Sequence, residues 1–327
     1  MKKNKGFGRC PICNHLKAKI LFSTRTFNSD FQLVQCEGCQ VARTFPFPSN
    51  DTLLNRDKVT YYGKHDNKFL PVLQKLRNRI MGLRAKHYLS FISDSIQRPR
   101  VLDLGCAEGR LLNAFLGYGC ECWGVESPAY PARRFLNPEH IVYMKGDLAS
   151  FDLKDGMFDL IFLWHVLEHL DNPLATMRKL HELLSPEGAL ILAVPNFSST
   201  EAKYFKHFWF HLDIPWHKFH FDESSLGYII KKNHFRVVGK KTFCFELGPF
   251  GLLQTVLNAM GWPRNEFFES LKGDLTYERS FPLFLQCLIL IFLSAPAYLF
   301  SMAASLMGKG SVIKMVLKKS ERNIYPG

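Results

Sequence analysis

The sequence predicts an α/β fold built on a doubly wound, mainly parallel sheet. From residue 100 onward, short apolar runs alternate with segments of helical apolar spacing, a pattern typical of parallel strands joined by helices. A glycine-containing turn follows the first run, where doubly wound sheets bind their ligands. The predicted strands are Val101–Leu104, Cys122–Val125, Ile141–Tyr143, Phe158–Leu163, Ala189–Val194 and Phe235–Val238. The predicted helices between them are Leu111–Leu116, Leu174–Leu184 and Ser224–Lys232.

The composition excludes some classes of protein but does not identify a binding partner. The 327 residues are 47% hydrophobic and 22% charged, which excludes a disordered chain or a fibrous repeat. The net charge of +13 favours anionic partners, which include nucleic acid, phosphorylated substrates and acidic membranes. The basic first residues are not followed by an apolar run, so we expect no secretory signal and a cytoplasmic protein.

Four cysteines near the start of the chain predict a metal site. Cys10, Cys13, Cys36 and Cys39 form two Cys-x2-Cys pairs, the spacing with which small ribbons bind Zn²⁺ tetrahedrally. Four free buried thiols are the alternative. We expect a structural or substrate-capping zinc ribbon rather than a nucleic-acid-binding one.

The turn after the first predicted strand carries the chemistry of a binding site. Asp103 ends the strand, and Gly105, Cys106 and Gly109 follow it. Because position 107 is alanine, the turn is not the Gly-x-Gly-x-x-Gly fingerprint of dinucleotide binding. A carboxylate here suits a ligand with a positive amino group better than a pyrophosphate.

The ends of the next two strands extend this site. Glu126 and Ser127 close the second strand, where an acidic residue can bind both hydroxyls of a ribose. Asp147 and Leu148 follow the third strand, where a carboxylate can accept from an adenine amino group. A ribose, an adenine and a cationic amino-acid tail, with no phosphate, describe S-adenosylmethionine, although Asp103 alone is equally consistent with a strand-end cap.

These segments resemble the class I S-adenosylmethionine-dependent methyltransferases over about residues 99–245. The resemblance rests on Asp103–Gly109, Glu126, Gly146-Asp147, His165–Leu170, Leu183–Gly188 and Val194–Asn196. It implies a Rossmann-like, seven-stranded sheet and a cofactor pocket that includes His165. The cysteine module and the following Tyr61-Tyr62 resemble the zinc-ribbon subset, which includes sugar C-methyltransferases and enzymes of surface-polysaccharide biosynthesis. That likeness implies that Tyr61 and Tyr62 close over the cofactor.

The loop after the fifth predicted strand supplies candidate bases. It contains His211, His217 and His220, and the family resemblance implies that His217 is the base, with His220 beside it. The alternatives are that these histidines only pack and hydrogen-bond, or that all three bind a second metal ion. We expect Glu168 and His169 to start the next helix and to pack structurally.

Residues 280–308 carry no charge and are long enough to span a bilayer. Val312–Leu317 nevertheless predicts a last strand antiparallel beside the sixth, which a single crossing would prevent. Pro296 predicts two half-helices, and we expect a monotopic element on an anionic cytoplasmic leaflet. The alternatives are buried helices on the sheet or a homodimer interface.

The sequence predicts five segments and one function. We expect a zinc ribbon at 1–50, a helical cap at 51–98, a methyltransferase core at 99–245, a hydrophobic helical insertion at 246–310 and a final strand and tail at 311–327. The predicted enzyme methylates oxygen, with carbon second, of a saccharide-like or lipid-linked acceptor near the membrane. A nucleic-acid-binding or scaffold ribbon protein and a nicotinamide oxidoreductase are the alternatives.

Overall fold

The computed structural model describes residues 6–26, 29–48, 71–128, 135–266, 268 and 283–320. Its strands are β1 (Ala18–Thr26), β2 (Ser29–Cys36), β3 (Ala42–Phe45), β4 (Arg100–Leu104), β5 (Glu121–Glu126), β6 (Ile141–Lys145), β7 (Phe158–Trp164), β8 (Leu184–Pro195), β9 (Phe219–His220), β10 (Phe235–Lys241) and β11 (Val312–Lys319). Its helices are α1 (Pro71–Leu89), α2 (Arg110–Leu116), α3 (Pro173–Leu183), α4 (Thr200–Phe205), α5 (Glu223–Lys232), α6 (Gly248–Ala259) and α7 (Leu283–Leu306).

The larger sheet has seven strands in the order β10-β11-β8-β7-β4-β5-β6. The five strands from β8 to β6 are parallel, and β11 runs antiparallel between β8 and β10. This order confirms the predicted α/β fold, and the strand predicted at Val312–Leu317 lies in the sheet.

Helices cover both faces of this sheet, which explains its continuous apolar strands. Leu160 and Ile161 point to opposite faces, and both are fully buried. On one face the core includes Leu180 of α3 and Ile229 of α5. On the other it includes Phe115 of α2 together with side chains of α1.

The smaller sheet joins the cysteine module to the rest of the protein. Its order is β1-β2-β3-β9, so β3 of the module pairs with β9, a strand from the loop after β8. Cys10, Cys36 and Cys39 belong to the same apolar cluster as Phe219 and Leu102. The module therefore packs directly on the α/β core.

The helix α7 corrects one prediction about the uncharged segment. It runs unbroken through Pro296, so the expected pair of half-helices does not form. Proline removes one helical hydrogen bond, but Leu293 and Ala297 pack against Leu252 and Leu253 of α6 on both sides of it. Among the residues described, no helix has both the length and the apolar character that crossing a bilayer requires.

Candidate functional site

The predicted cofactor residues meet at one edge of the large sheet. The strands β4, β5, β6 and β7 are parallel, so their carboxyl ends lie side by side. The residues that the structure places at this edge are Asp103, Gly105, Cys106, Gly109, Glu126, Ser127, Asp147, Leu148 and His165. Their individual roles stay predictions, while their common position follows from the topology.

The glycine turn has a backbone that other residues adopt with strain. Gly105 and Gly109 both have φ of +80°, in the left-handed region. A Cβ atom on Gly105 would lie 2.3 Å from Cγ2 of Val166, so the turn packs tightly under the segment after β7. Cys106 is buried beside it.

Asp103 is a buried carboxylate that fits a cationic ligand. Its side chain is only 5% exposed. Burial, and then the charge of Glu126, raise the pKa of Asp103 to about 8. A positive amino group beside it would offset both effects, so this residue suits the amino-acid tail of S-adenosylmethionine.

Glu126 is held in place by the loops on either side of it. Its carboxylate accepts hydrogen bonds from the Ala107 amide at 2.7 Å and from the Ser127 amide at 2.8 Å. Burial raises the pKa of Glu126, and these two amides oppose the increase. Since a carboxylate has about four acceptor sites, it can still accept from two ribose hydroxyls.

The other predicted cofactor residues border the same edge. The Asp147 carboxylate is exposed and accepts from the Ala149 amide at 3.1 Å, while Leu148 is buried. His165 has φ of +54°, and its Nδ1 lies 3.2 Å from Oε1 of Glu168. Tyr61 and Tyr62 lie outside the described residues.

Arg84 and Val166 belong to this edge but were absent from the sequence prediction. Arg84 lies 4.4 Å above the ring of Trp164 and forms an ion pair with Glu246 at 2.6 Å. Its charge lowers the pKa of Asp103, against the larger effect of burial. Nothing in the pattern of α1 distinguishes Arg84 from a solvated arginine, because only the fold brings the helix to this edge.

The two candidate bases have different surroundings. The Thr44 hydroxyl donates to the carbonyl of His217 at 2.8 Å, so the nearby Nε2 of His220, at 3.1 Å, donates to Thr44. His220 thus fixes the loop to β3. Burial lowers the pKa of His220 to about 3 and that of His217 well below its usual value, so both rings are neutral.

His217 is grouped with residues other than those predicted. Atoms of Glu168, His169 and His217 that could bind a metal lie within 4.8 Å of one another, whereas His211, His217 and His220 form no such group among the described residues. Glu168 and His169 lie in a short 3-10 turn, Leu167–His169, and Glu168 is 1% exposed. They do not start the following helix, which begins at Pro173.

The four cysteines of the ribbon meet as a separate cluster. The sulfurs of Cys10, Cys13, Cys36 and Cys39 lie within 4.8 Å of one another. The Cys10–Cys39 and Cys13–Cys36 sulfur pairs are 3.6 Å and 3.4 Å apart. Four thiols in this arrangement suit one tetrahedral Zn²⁺.

The chain is similar to several known proteins. Residues 75–240, just over half of the chain, match a family model described as a methyltransferase domain. Two solved structures are similar: a SAM-dependent methyltransferase from Archaeoglobus fulgidus, 18% identical, covering 74% of this chain and 94% of that one with a TM-score of 0.45; and the YcgJ protein from Bacillus subtilis, 17% identical, covering 74% and 98% with a TM-score of 0.45.

Curated relatives match over shorter stretches. The ubiquinone biosynthesis O-methyltransferase of Xanthomonas campestris is 28% identical over 118 residues, which are 33% of this chain and 48% of that protein. The enzyme of the same name from Pseudomonas aeruginosa is 27% identical over 103 residues, which are 30% and 44%. The chain thus spans about half the length of these relatives.

The family match decides among the three functional classes considered from the sequence. It covers α2, the glycine turn, the ends of β4 to β7 and the loop that carries His217. An oxidoreductase and a ribbon scaffold without catalysis both lose their support. The chain belongs to the family of this methyltransferase domain, with the α/β fold of the class I S-adenosylmethionine-dependent methyltransferases.

Proposed function

We propose that the enzyme transfers a methyl group from S-adenosylmethionine to a hydroxyl oxygen of a saccharide-like or lipid-linked acceptor near a membrane. The observation that carries the proposal of an acid–base step is His217, a buried histidine that lies close to Glu168 and His169 in the turn after β7. The names of the relatives, which are O-methyltransferases, support oxygen over carbon.

The cofactor residues have distinct proposed tasks. Asp103 binds the amino group, Glu126 binds the ribose hydroxyls, and Asp147 with Leu148 lies beside the adenine. When bound, S-adenosylmethionine supplies a methyl group made electrophilic by a positively charged sulfur. The protein therefore has mainly to align the two substrates.

An acceptor hydroxyl also has to lose its proton as it is methylated. Nδ1 of His217 lies 2.9 Å from the carbonyl of His211. Since a carbonyl only accepts, Nδ1 carries the hydrogen and Nε2 keeps its lone pair. We assign the activation of the acceptor hydroxyl to this Nε2 atom and give His220 a positioning role through Thr44.

The proposed membrane-proximal acceptor is supported by α7. One side of this helix exposes a line of large apolar side chains, spaced three, four or seven residues apart: Leu288, Phe292, Leu299, Met302 and Leu306. Phe292 and Leu306 are 83% and 86% exposed. Such a face suits a lipid surface, on which a lipid-linked acceptor would be within reach.

A structural zinc ion completes the proposal. We assign it to Cys10, Cys13, Cys36 and Cys39, where it would stabilise a module with a small core of its own.

His217→Ala should lower turnover by about 10²–10⁴-fold with little change in affinity for S-adenosylmethionine, because the side chain acts on the acceptor. The assay detects the mass of one added CH2 group in lipid and glycan extracts incubated with the enzyme. A carbon-13 label in the transferred methyl group then distinguishes an O-methyl from a C-methyl product by its chemical shift.

His207→Ala is the matched control, because His207 is an exposed histidine of the same loop region. It should retain full turnover. Normal turnover of the His217 variant would reduce this residue to packing, and a C-methyl product would overturn the choice of oxygen.

A further inference from the structure

Glu168, His169 and His217 form a compact group that the proposed reaction uses only in part. Glu168 and His169 follow β7, and His217 comes from the loop before β9. One possible ligand atom from each lies within 4.8 Å of the other two. Val166, in the same turn, packs on the glycine turn at Gly105, so the group lies next to the cofactor edge.

Both histidines are oriented as metal ligands are. Nδ1 of His169 lies 3.0 Å from the carbonyl of Trp216, and Nδ1 of His217 lies 2.9 Å from the carbonyl of His211. Each carbonyl fixes the hydrogen on Nδ1, so Nε2 is the nitrogen with the lone pair. Histidines that bind metals are commonly oriented by this bond from the other ring nitrogen to a backbone carbonyl.

Glu168 supplies an independent observation. Oε1 lies next to Nδ1 of His165, but Oε2 is buried with no hydrogen-bond donor among the described residues. The crevice that Glu168 lines together with His217, Trp209 and Phe219 has no room for a water molecule. A buried carboxylate oxygen without a donor is costly, and a cation would satisfy it.

The ligand types indicate the kind of ion. Two imidazole nitrogens and one carboxylate oxygen suit a divalent transition metal such as Zn²⁺, Co²⁺ or Mn²⁺ better than Ca²⁺. Ligands bound to one such ion lie about 3–3.5 Å apart, so the group closes by side-chain shifts on the order of 1 Å. Three protein ligands leave a position open, and His169 is partly exposed, which gives an acceptor access from that side.

We propose that Glu168, His169 and His217 bind a divalent transition-metal ion whose open position takes an acceptor oxygen. The metal site stands on its own geometry, and its role towards the acceptor rests on the proposed function. His217 then serves as a ligand of the ion, and the hydroxyl bound at the open position releases its proton to the neighbouring Asp213 carboxylate as it is methylated. Asp213 also faces the site, with Oδ2 3.8 Å from Nε2 of His217.

Cobalt titration of the chelator-treated, full-length protein tests the site, because Co²⁺ reports the type of its ligands. We expect two bound ions per chain. One, in the ribbon, shows the intense near-ultraviolet charge transfer of thiolate ligands. The other shows only the weak visible bands of nitrogen and oxygen ligands.

Glu168→Gln, His169→Gln and His217→Gln should each weaken the second ion at least tenfold and leave the thiolate band unchanged. Cys13→Ser should weaken the thiolate band, and His207→Ala should alter neither band. Unchanged affinity for S-adenosylmethionine shows that a variant is folded. A wild-type protein that binds no nitrogen- and oxygen-ligated cobalt, or variants that bind it equally well, would overturn the metal site.

Turnover separates this inference from the proposed function. As Co²⁺ is returned to the chelator-treated wild type, turnover should rise at least tenfold in step with the nitrogen- and oxygen-ligand bands and not with the thiolate band. If no second ion binds but His217→Gln still abolishes methyl transfer, the metal site fails and His217 remains the direct base. If the ion binds and the His217 variant transfers normally, the assigned role of His217 fails.

Discussion

Asp103 shows how a single side chain prepares the protein for its cofactor. A carboxylate buried beside a second carboxylate, Glu126, is unfavourable in the ligand-free protein. The same arrangement gives a strong interaction with a ligand that brings a positive charge. Binding strength is thus gained at the expense of the stability of the ligand-free state.

This arrangement predicts a pH-dependent effect of Asp103→Asn. Folded Asp103 keeps its proton up to about pH 8, whereas the unfolded chain releases it near the ordinary value of 3.8. Stability of the ligand-free wild type therefore falls as the pH rises between these values. The variant should gain on the order of a few kcal/mol over the wild type at about pH 9 and little at about pH 4, measured by urea unfolding.

The Asn variant should also bind S-adenosylmethionine at least tenfold more weakly in calorimetry, because a charged hydrogen bond is lost. Asp155→Asn is the control, because it makes the same exchange at an exposed position before β7, away from the cofactor edge. An advantage of Asp103→Asn that is equal at both pH values would contradict the burial of this charge.

At the scale of elements, β9 links the ribbon to the reactive loop. Ala42 and Arg43 of β3 pair with His220 and Phe219, and the Lys218 carbonyl accepts from the Thr44 amide at 3.0 Å. Lys218 in turn donates its amide to the carbonyl of Glu168 at 2.9 Å. The ribbon, the His217 loop and the turn after β7 are therefore one hydrogen-bonded unit.

Loss of a ribbon cysteine should therefore destabilise β9. Cys13→Ser should remove the proposed zinc and speed hydrogen exchange of the Phe219 and His220 amides at least tenfold, because β3 would no longer be held. Zinc content and exchange are measured on the same sample. Cys120→Ser, a buried cysteine outside the ribbon, should change neither, and unaltered exchange at β9 in Cys13→Ser would separate the ribbon from the loop.

For the molecule as a whole, the sequence predicted the central architecture and missed what depends on distant contacts. Alternating apolar runs predicted the strands because buried parallel strands need continuous apolar residues. The pairing of β3 with β9 has no local signal, since it joins residues about 175 positions apart. The grouping of Glu168 with His217, and the approach of Arg84 to Asp103, were missed for the same reason.

The helix-breaking tendency of Pro296 was also outweighed in α7, where packing on α6 keeps the helix continuous.

The exposed side of α7 predicts that the protein binds to a lipid surface without crossing the membrane. Phe292→Ser combined with Leu299→Ser should reduce sedimentation with anionic vesicles several-fold, because the buried apolar area is lost. Leu16→Ser removes an exposed apolar side chain from the ribbon and should have no effect. Equal sedimentation of the double variant and the wild type would mean that this face does not meet lipid.

The place of β11 between β8 and β10 affects how the protein is made. During synthesis β8 and β10 emerge from the ribosome long before β11, and both wait without a neighbour on the side that β11 will fill. Until residue 319 has been translated, the nascent chain therefore has two unpaired strand edges. It also exposes the apolar side of α7. Nascent chains stalled before that residue should bind chaperones. The chaperones should dissociate once β11 pairs with β8 and β10.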